Sequence, residues 1–183
     1  MDRRAGVAIA FGLAACGGAS RGPQVLTRGA LAYAVAVDAT HLVSVELTEQ
    51  FELVVRSWPD ATPQRRVLLG PPEADVLGLA LVPGGAPRAV VGGRDGWVLV
   101  LALDDGHEVA RWPQGAAITA LAAPADAVFI GDAGGVVCAR TLVDGALRVC
   151  VDLGAPVASL RLDGAHLIAT TPHDVVGLML DDL

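Results

Sequence analysis

From Val25 onward the apolar residues come in short runs broken by Gly, Pro and Asp. No stretch keeps apolar residues at i, i+3, i+4 and i+7 for three turns. The pattern therefore predicts short strands rather than amphipathic helices. The runs also repeat. Ala89-Val90-Val91-Gly92-Gly93-Arg94-Asp95-Gly96-Trp97-Val98 is an apolar strand, a small polar turn and a second strand. The same arrangement returns 39 residues later at Val128-Phe129-Ile130-Gly131-Asp132-Ala133-Gly134-Gly135-Val136-Val137. It returns after another 39 at Leu167-Ile168-Ala169-Thr170-Thr171-Pro172-His173-Asp174-Val175-Val176. The hairpin turn that follows repeats as Asp105-Gly106 and Asp144-Gly145.

The strand ahead of each hairpin repeats too. Val76-Leu77-Gly78-Leu79, Ile118-Thr119-Ala120-Leu121 and Val157-Ala158-Ser159-Leu160 each read β-branched, any, small, Leu. A more diverged unit starts near Ala32, where Asp38-Ala39-Thr40-His41-Leu42-Val43 echoes Asp163-Gly164-Ala165-His166-Leu167-Ile168. The total is four units of about 40 residues, close to the blade length of a β-propeller. Asp95 to Val109 resembles the strand-turn-strand of a WD-repeat blade, and the region from about Ala32 to Leu183 resembles WD-repeat and pyrroloquinoline-quinone-type propellers. Leu101-Ala102 stands where the Trp-Asp pair of WD repeats belongs, so no activity of those families carries over. The resemblance implies an all-β propeller of about four blades of four antiparallel strands, over residues 24–183. The last unit ends near its third strand. The segment Val25-Leu26-Thr27 is expected to add the missing outer strand and close the ring, which would remove two exposed edges.

Composition fits such a fold. The chain of 183 residues is 53% hydrophobic and 4% aromatic, so Val, Leu, Ile and Ala must build the core. Blades cover one another's apolar faces, which accounts for the apolar surplus. Lys+Arg 13 against Asp+Glu 20 leaves −7, every basic residue is Arg, and no basic block exists. A nucleic-acid partner is not expected.

The first residues form a separate unit. Met1-Asp2-Arg3-Arg4 is basic, and Ala5 to Ala15 then runs without a charge. A run of about 11 apolar residues after a basic start reads as a secretory leader, too short to span a bilayer. It ends at Leu13-Ala14-Ala15-Cys16-Gly17-Gly18, which closely resembles the lipobox of bacterial lipoproteins. The resemblance implies cleavage after residue 15, lipidation of Cys16 and a flexible tether over residues 16–23. It further implies a lipid-anchored protein of the bacterial cell envelope. The absence of Asp at position 17 points to the outer membrane, facing the periplasm or the cell surface.

Candidate chemistry is sparse. Cys138 and Cys150 lie equally far from Asp144, hence opposite each other on the two strands of one hairpin. In an oxidising compartment they could form a disulfide; two small thiols in the core is the alternative. His41 and His166 occupy matching turn positions that packing explains. Trp58-Pro59 and Trp112-Pro113 follow strands and read as caps over blade interfaces. No nucleophile elbow, phosphate loop, paired-His motif or calcium loop appears, and no cofactor or metal is expected. If the fold is a propeller, the loops between second and third strands gather on one face. Arg94, Asp95, Asp132, Pro172 and His173 would lie there, joined by Glu73 and Gln114 from the loops that lead into each blade.

These observations favour a non-enzymatic, lipid-anchored propeller that binds a protein partner in the envelope as a monomer or dimer. The alternatives are a small propeller enzyme of the lactonase or dehydrogenase kind, a partial propeller completed by a second chain, and a degenerate fragment.

Overall fold

The computed structural model describes residues 30–71 and 75–183. They form four antiparallel sheets, each a simple meander of consecutive strands. Sheet 1 holds β1 (Leu31–Val37), β2 (His41–Leu47), β3 (Phe51–Ser57) and β4 (Pro63–Gly70). Sheet 2 holds β5 (Val76–Val82), β6 (Arg88–Gly93), β7 (Trp97–Ala102) and β8 (Glu108–Pro113). Sheet 3 holds β9 (Ile118–Ala122), β10 (Ala127–Asp132), β11 (Val136–Thr141) and β12 (Leu147–Asp152). Sheet 4 holds only β13 (Ser159–Asp163), β14 (His166–Thr170) and β15 (Val175–Met179), followed by a 3-10 turn at Leu180–Asp182. The four repeat units of the sequence are these four sheets. The leader (1–15), the tether (16–23) and the expected closing strand at residues 25–27 lie outside the described residues.

The first strands of successive sheets lie beside one another in the order β1, β5, β9, β13. Three apolar layers fill the spaces between the sheets. Val43, Val45, Leu53 and Val55 of sheet 1 meet Val76, Ala89, Val91 and Leu99 of sheet 2. Val90, Val98, Val100 and Trp112 meet Ile118, Leu121, Val128 and Ile130 of sheet 3. Phe129, Val137 and Ala139 meet Leu160, Leu162, Leu167 and Ala169 of sheet 4. Successive side chains of a strand point to opposite faces, so neighbours such as Val90 and Val91 serve different layers. This is why β6 and β10 are apolar without alternation: both their faces are covered. Each fully buried Val, Ile or Leu contributes roughly 1.5–3 kcal/mol.

A glycine sets how closely the sheets approach. Gly92, at the end of β6, faces Ile118 of the next sheet, and a Cβ there would lie 2.9 Å from Ile118 side-chain atoms. Gly131, 39 residues on at the end of β10, faces Val157, and a Cβ would lie 2.5 Å from Val157 Cγ1. Thr170 holds the equivalent place in sheet 4, where its hydroxyl is 2.7 Å from that of Ser159. The repeated Asp-Gly turns provide a second tie. Gly106 (φ 80°) seats against Val67 of β4, and Gly145 (φ 69°) against the Trp112 ring of β8. Any side chain at either glycine would meet both a disfavoured φ and the preceding sheet. Arg65 adds hydrogen bonds from its guanidinium to the carbonyls of Asp104 (2.7 Å) and Asp105 (3.0 Å).

The two ends of the stack differ. On the far face of sheet 1, Leu42, Ser44, Glu46, Val54 and Arg56 are all buried. Arg56 pairs with Glu46 (2.8 Å) and donates to Ser44 Oγ (2.7 Å), which in turn donates to Glu46 Oε1 (2.7 Å). On the far face of sheet 4, Val175 is 74% exposed and Met179 43%.

Replacing Gly131 by Ala is expected to lower stability by about 1–3 kcal/mol, because the added carbon presses on Val157. Gly177→Ala, whose added carbon would meet only Ile168 Cδ1 at 3.8 Å, is expected to change it little. Denaturant melts of the two variants check the difference.

Candidate binding face

In sheets 2 and 3 the turn between the second and third strands is tied to the loop leading into the next sheet. In sheet 2, Gly96 N–H donates to Gly93 O (3.1 Å), and Gly96 O accepts from Gln114 N–H (2.7 Å). In sheet 3 the same pair recurs 39 residues on: Gly135 N–H donates to Asp132 O (3.2 Å), and Gly135 O accepts from Leu153 N–H (2.9 Å). Both glycines have positive φ, 75° and 96°. A Cβ on either would strike the carbonyl of Ala116 or Ala155. Asp95 Oδ1 caps its turn by accepting from Trp97 N–H (3.1 Å). Arg94 reaches Asp75 in the loop leading into sheet 2, with Nε 2.7 Å from Oδ2 and its own N–H on the Asp75 carbonyl. The two kinds of loop therefore share one end of the sheets, held by backbone hydrogen bonds.

The residues singled out from sequence take different parts. Arg94, Asp95, Pro172 and His173 are exposed at the turns. Asp132 is buried, its Oδ1 accepting from Gly134 N–H (2.9 Å) and Val136 N–H (3.0 Å). It holds its turn and offers nothing to a partner. Gln114 is half-buried and accepts from Arg140 Nε (2.8 Å), so it ties sheets 2 and 3. In the last turn Thr171 Oγ1 accepts from the N–H groups of His173 (3.3 Å) and Asp174 (3.0 Å). Glu73 and Cys16 lie outside the described residues. Trp112 is buried between sheets 2 and 3, while Trp97, at 42% exposure, stands just past the Arg94-Asp95 turn.

Cys138 and Cys150 face each other across β11 and β12 and are bonded, S–S 2.07 Å and Cα–Cα 4.1 Å. Cys138 is buried and Cys150 is exposed. No cluster of three or more His, Cys, Asp or Glu able to hold a metal ion occurs among the described residues.

The buried Ser44–Glu46–Arg56 cluster was not read from the sequence. Its signal was there: Ser44 and Glu46 are two apart on β2, and Arg56 is opposite Leu42 on β3. Period-two alternation places all three on one face.

Local hydrogen bonds lower several turn carboxylates. Burial works against ionisation of Asp38, but N–H groups of Thr40 (2.7 Å) and His41 (2.6 Å), with the His41 ring, outweigh it and hold the pKa below the ordinary value. Asp105 is lowered by the His107 N–H and ring, and Asp144 by the Thr141 hydroxyl and the Ala146 N–H. These turns repeat the same device at different strand connections.

No protein-family model matches the chain, and neither does any curated protein sequence. The fold has solved neighbours. The computationally designed Ika4 protein matches with a TM-score of 0.68 at 21% identity, covering 85% of this chain and 98% of that one. The computationally designed Ika8 protein matches with a TM-score of 0.65 at 21% identity, covering 81% of this chain but only 45% of that one. At this identity the likeness is one of fold. A four-sheet stack fills nearly the whole of one neighbour and less than half of the other.

A carboxylate with a lowered folded-state pKa contributes stability that is complete above the ordinary Asp value of about 4 and fades as pH falls through the lower folded value. Asp38→Ala is therefore expected to cost about 1 kcal/mol at neutral pH, allowing for its partial exposure, and the difference should shrink as the pH is taken down through that range. Thermal melts of both proteins between pH 7 and pH 2 check the sign.

Proposed function

We propose that the chain is a lipid-anchored protein of the bacterial cell envelope whose body is a non-enzymatic β-propeller scaffold of about four blades. The observation that carries this reading is the succession of sequence features at the N-terminus: Arg3-Arg4, the uncharged run from Ala5 to Ala15, Leu13-Ala14-Ala15-Cys16 and a Gly/Ser tether. Acyl chains on one cysteine hold a protein at a membrane because each buried methylene contributes about 0.8 kcal/mol. The bonded Cys138–Cys150 pair supports export, since an exposed Cys150 keeps its disulfide in an oxidising compartment and tends to lose it in a reducing one. The outer membrane is the address favoured by Gly17, a residue other than Asp, directly after the cysteine.

The serial stacking of four sheets, with first strands side by side, supports the propeller reading. Loops tied to one another at one end would present Arg94, Asp95, Trp97, Pro172 and His173 to a protein partner in the envelope. Rigid turns carrying an exposed aromatic and an Arg suit protein recognition. The open far face of sheet 4 favours one alternative, a partial propeller completed by a second chain.

The full chain produced in bacteria is expected in the membrane fraction, with an intact mass that shows cleavage before Cys16 and added acyl groups. Cys16→Ser should move it to the soluble fraction with no added acyl mass. Cys138 and Cys150 should resist alkylation until a reductant is added. Unmodified Cys16, with residues 1–15 still attached, would overturn the anchor.

A further inference from the structure

Sheets 1, 2 and 3 each end on a fourth strand that is protected as an edge. β4 carries Arg65 and Arg66, β8 carries Glu108 and Arg111, and β12 carries Arg148 and Asp152. All three also shift register against their partners. Charges and bulges are how sheets discourage pairing with a stranger. Among the described residues, sheet 4 ends on its third strand. Val175-Val176-Gly177-Leu178-Met179 has no charge, no proline and an unbroken register with β14. Its counterparts β3, β7 and β11 are paired on both sides, whereas among the described residues β15 pairs with β14 alone.

Sheet 4 differs from sheets 2 and 3 on the face turned away from its neighbour. The notch that Gly92 and Gly131 open is filled by Thr170, bonded to Ser159. Pairing along the β15 edge does not use that notch.

We propose that β15 is a self-association edge, pairing antiparallel with β15 of a second copy across a two-fold axis at Gly177. The strand suits itself as a partner. A two-fold at Gly177 sets Val175 of one copy opposite Met179 of the other, twice, so two exposed apolar side chains cover each other. Gly177 puts no side chain at the axis. The same symmetry brings the His173 turn of one copy toward Asp181 of the other, a ring N–H donor toward a carboxylate. Two copies of a chain carrying −7 repel each other, and an uncharged edge is where that repulsion is least. The charged outer edges of the other sheets offer no such match. This inference rests on the strand edge and holds whether or not the chain is anchored to a membrane.

The test uses the full chain carrying Cys16→Ser in a nonionic detergent, with light scattering on a sizing column giving the protein mass. A two-copy mass is expected. In that background Val175→Lys with Met179→Lys sets like charges opposite each other and should weaken the pair about tenfold or more. Val175→Lys with Met179→Glu should restore it, because the introduced lysine of one copy then faces the introduced glutamate of the other. Both positions are exposed, and unchanged circular dichroism would show that the variants fold. Gly177→Cys, at the axis, should cross-link two copies under mild oxidation. A one-copy mass overturns the proposal; hydrogen exchange showing β15 amides protected in that single copy would assign the edge to the chain's own residues 25–27 instead. A dimer indifferent to the paired lysines also overturns it.

Discussion

The distance between neighbouring sheets governs this molecule, and a missing side chain sets that distance. At the end of β6 and again at the end of β10, a glycine leaves room for the Ile118 or Val157 that leads into the next sheet. With that residue seated, the first strands come side by side and the alternating faces of each sheet meet across a dry layer. Sheets 2 and 3 have two apolar faces each, and a neighbour on either side covers them. The Asp-Gly turns act in the same direction from the outer side. Gly106 and Gly145 rest on the last strand of the sheet before them, so sheets 2 and 3 are tied to the preceding sheet on the outer side as well.

The far faces of sheet 1 and sheet 4 are built differently. At sheet 1 the far face buries an arginine, a glutamate and a serine among Leu42 and Val54. Burying such a pair costs desolvation that its attraction only partly offsets, so its value lies in geometry. Arg56 reaches across from β3 to both Ser44 and Glu46 on β2, and a slip of one residue between these strands would strand the charges on the opposite, apolar face. At sheet 4 the far face is open, and the place of the spacing glycine is taken by a threonine that hydrogen-bonds within its own sheet.

Much of the fold was legible in the sequence because the repeat is made of backbone requirements. Turn glycines at positive φ return at the same offset in sheets 2 and 3, and the strand runs return again in sheet 4. Sheet 1 was harder to see. Val45 stands where the later sheets have Gly or Thr, and its β3–β4 connection runs through Trp58-Pro59 instead of Asp-Gly. The cysteine pair was legible as a geometry, opposite positions on one hairpin, though residue spacing could not decide between bond and free thiols. The binding face was only half legible. A turn residue looks the same in sequence whether its side chain faces solvent or folds back on its own backbone. Asp95 and Asp132 both cap such a turn from places two apart in the repeat, yet the second is buried with two N–H groups on one oxygen.

That difference bears on how such a surface can change. The hydrogen bonds that join Gly96 to Gln114 and Gly135 to Leu153 are made by backbone atoms and do not depend on the side chains beside them. Substitutions at Pro172 or His173 alter what the face presents without touching the bonds that shape it. Asp132 and the glycines cannot change so freely, because each is itself part of the turn. The stack supplies the base, the backbone supplies the loop geometry, and only the exposed side chains remain to set what the proposed binding face would recognise. Recognition by a few side chains on a fixed frame avoids the ordering cost that a mobile loop would add on binding.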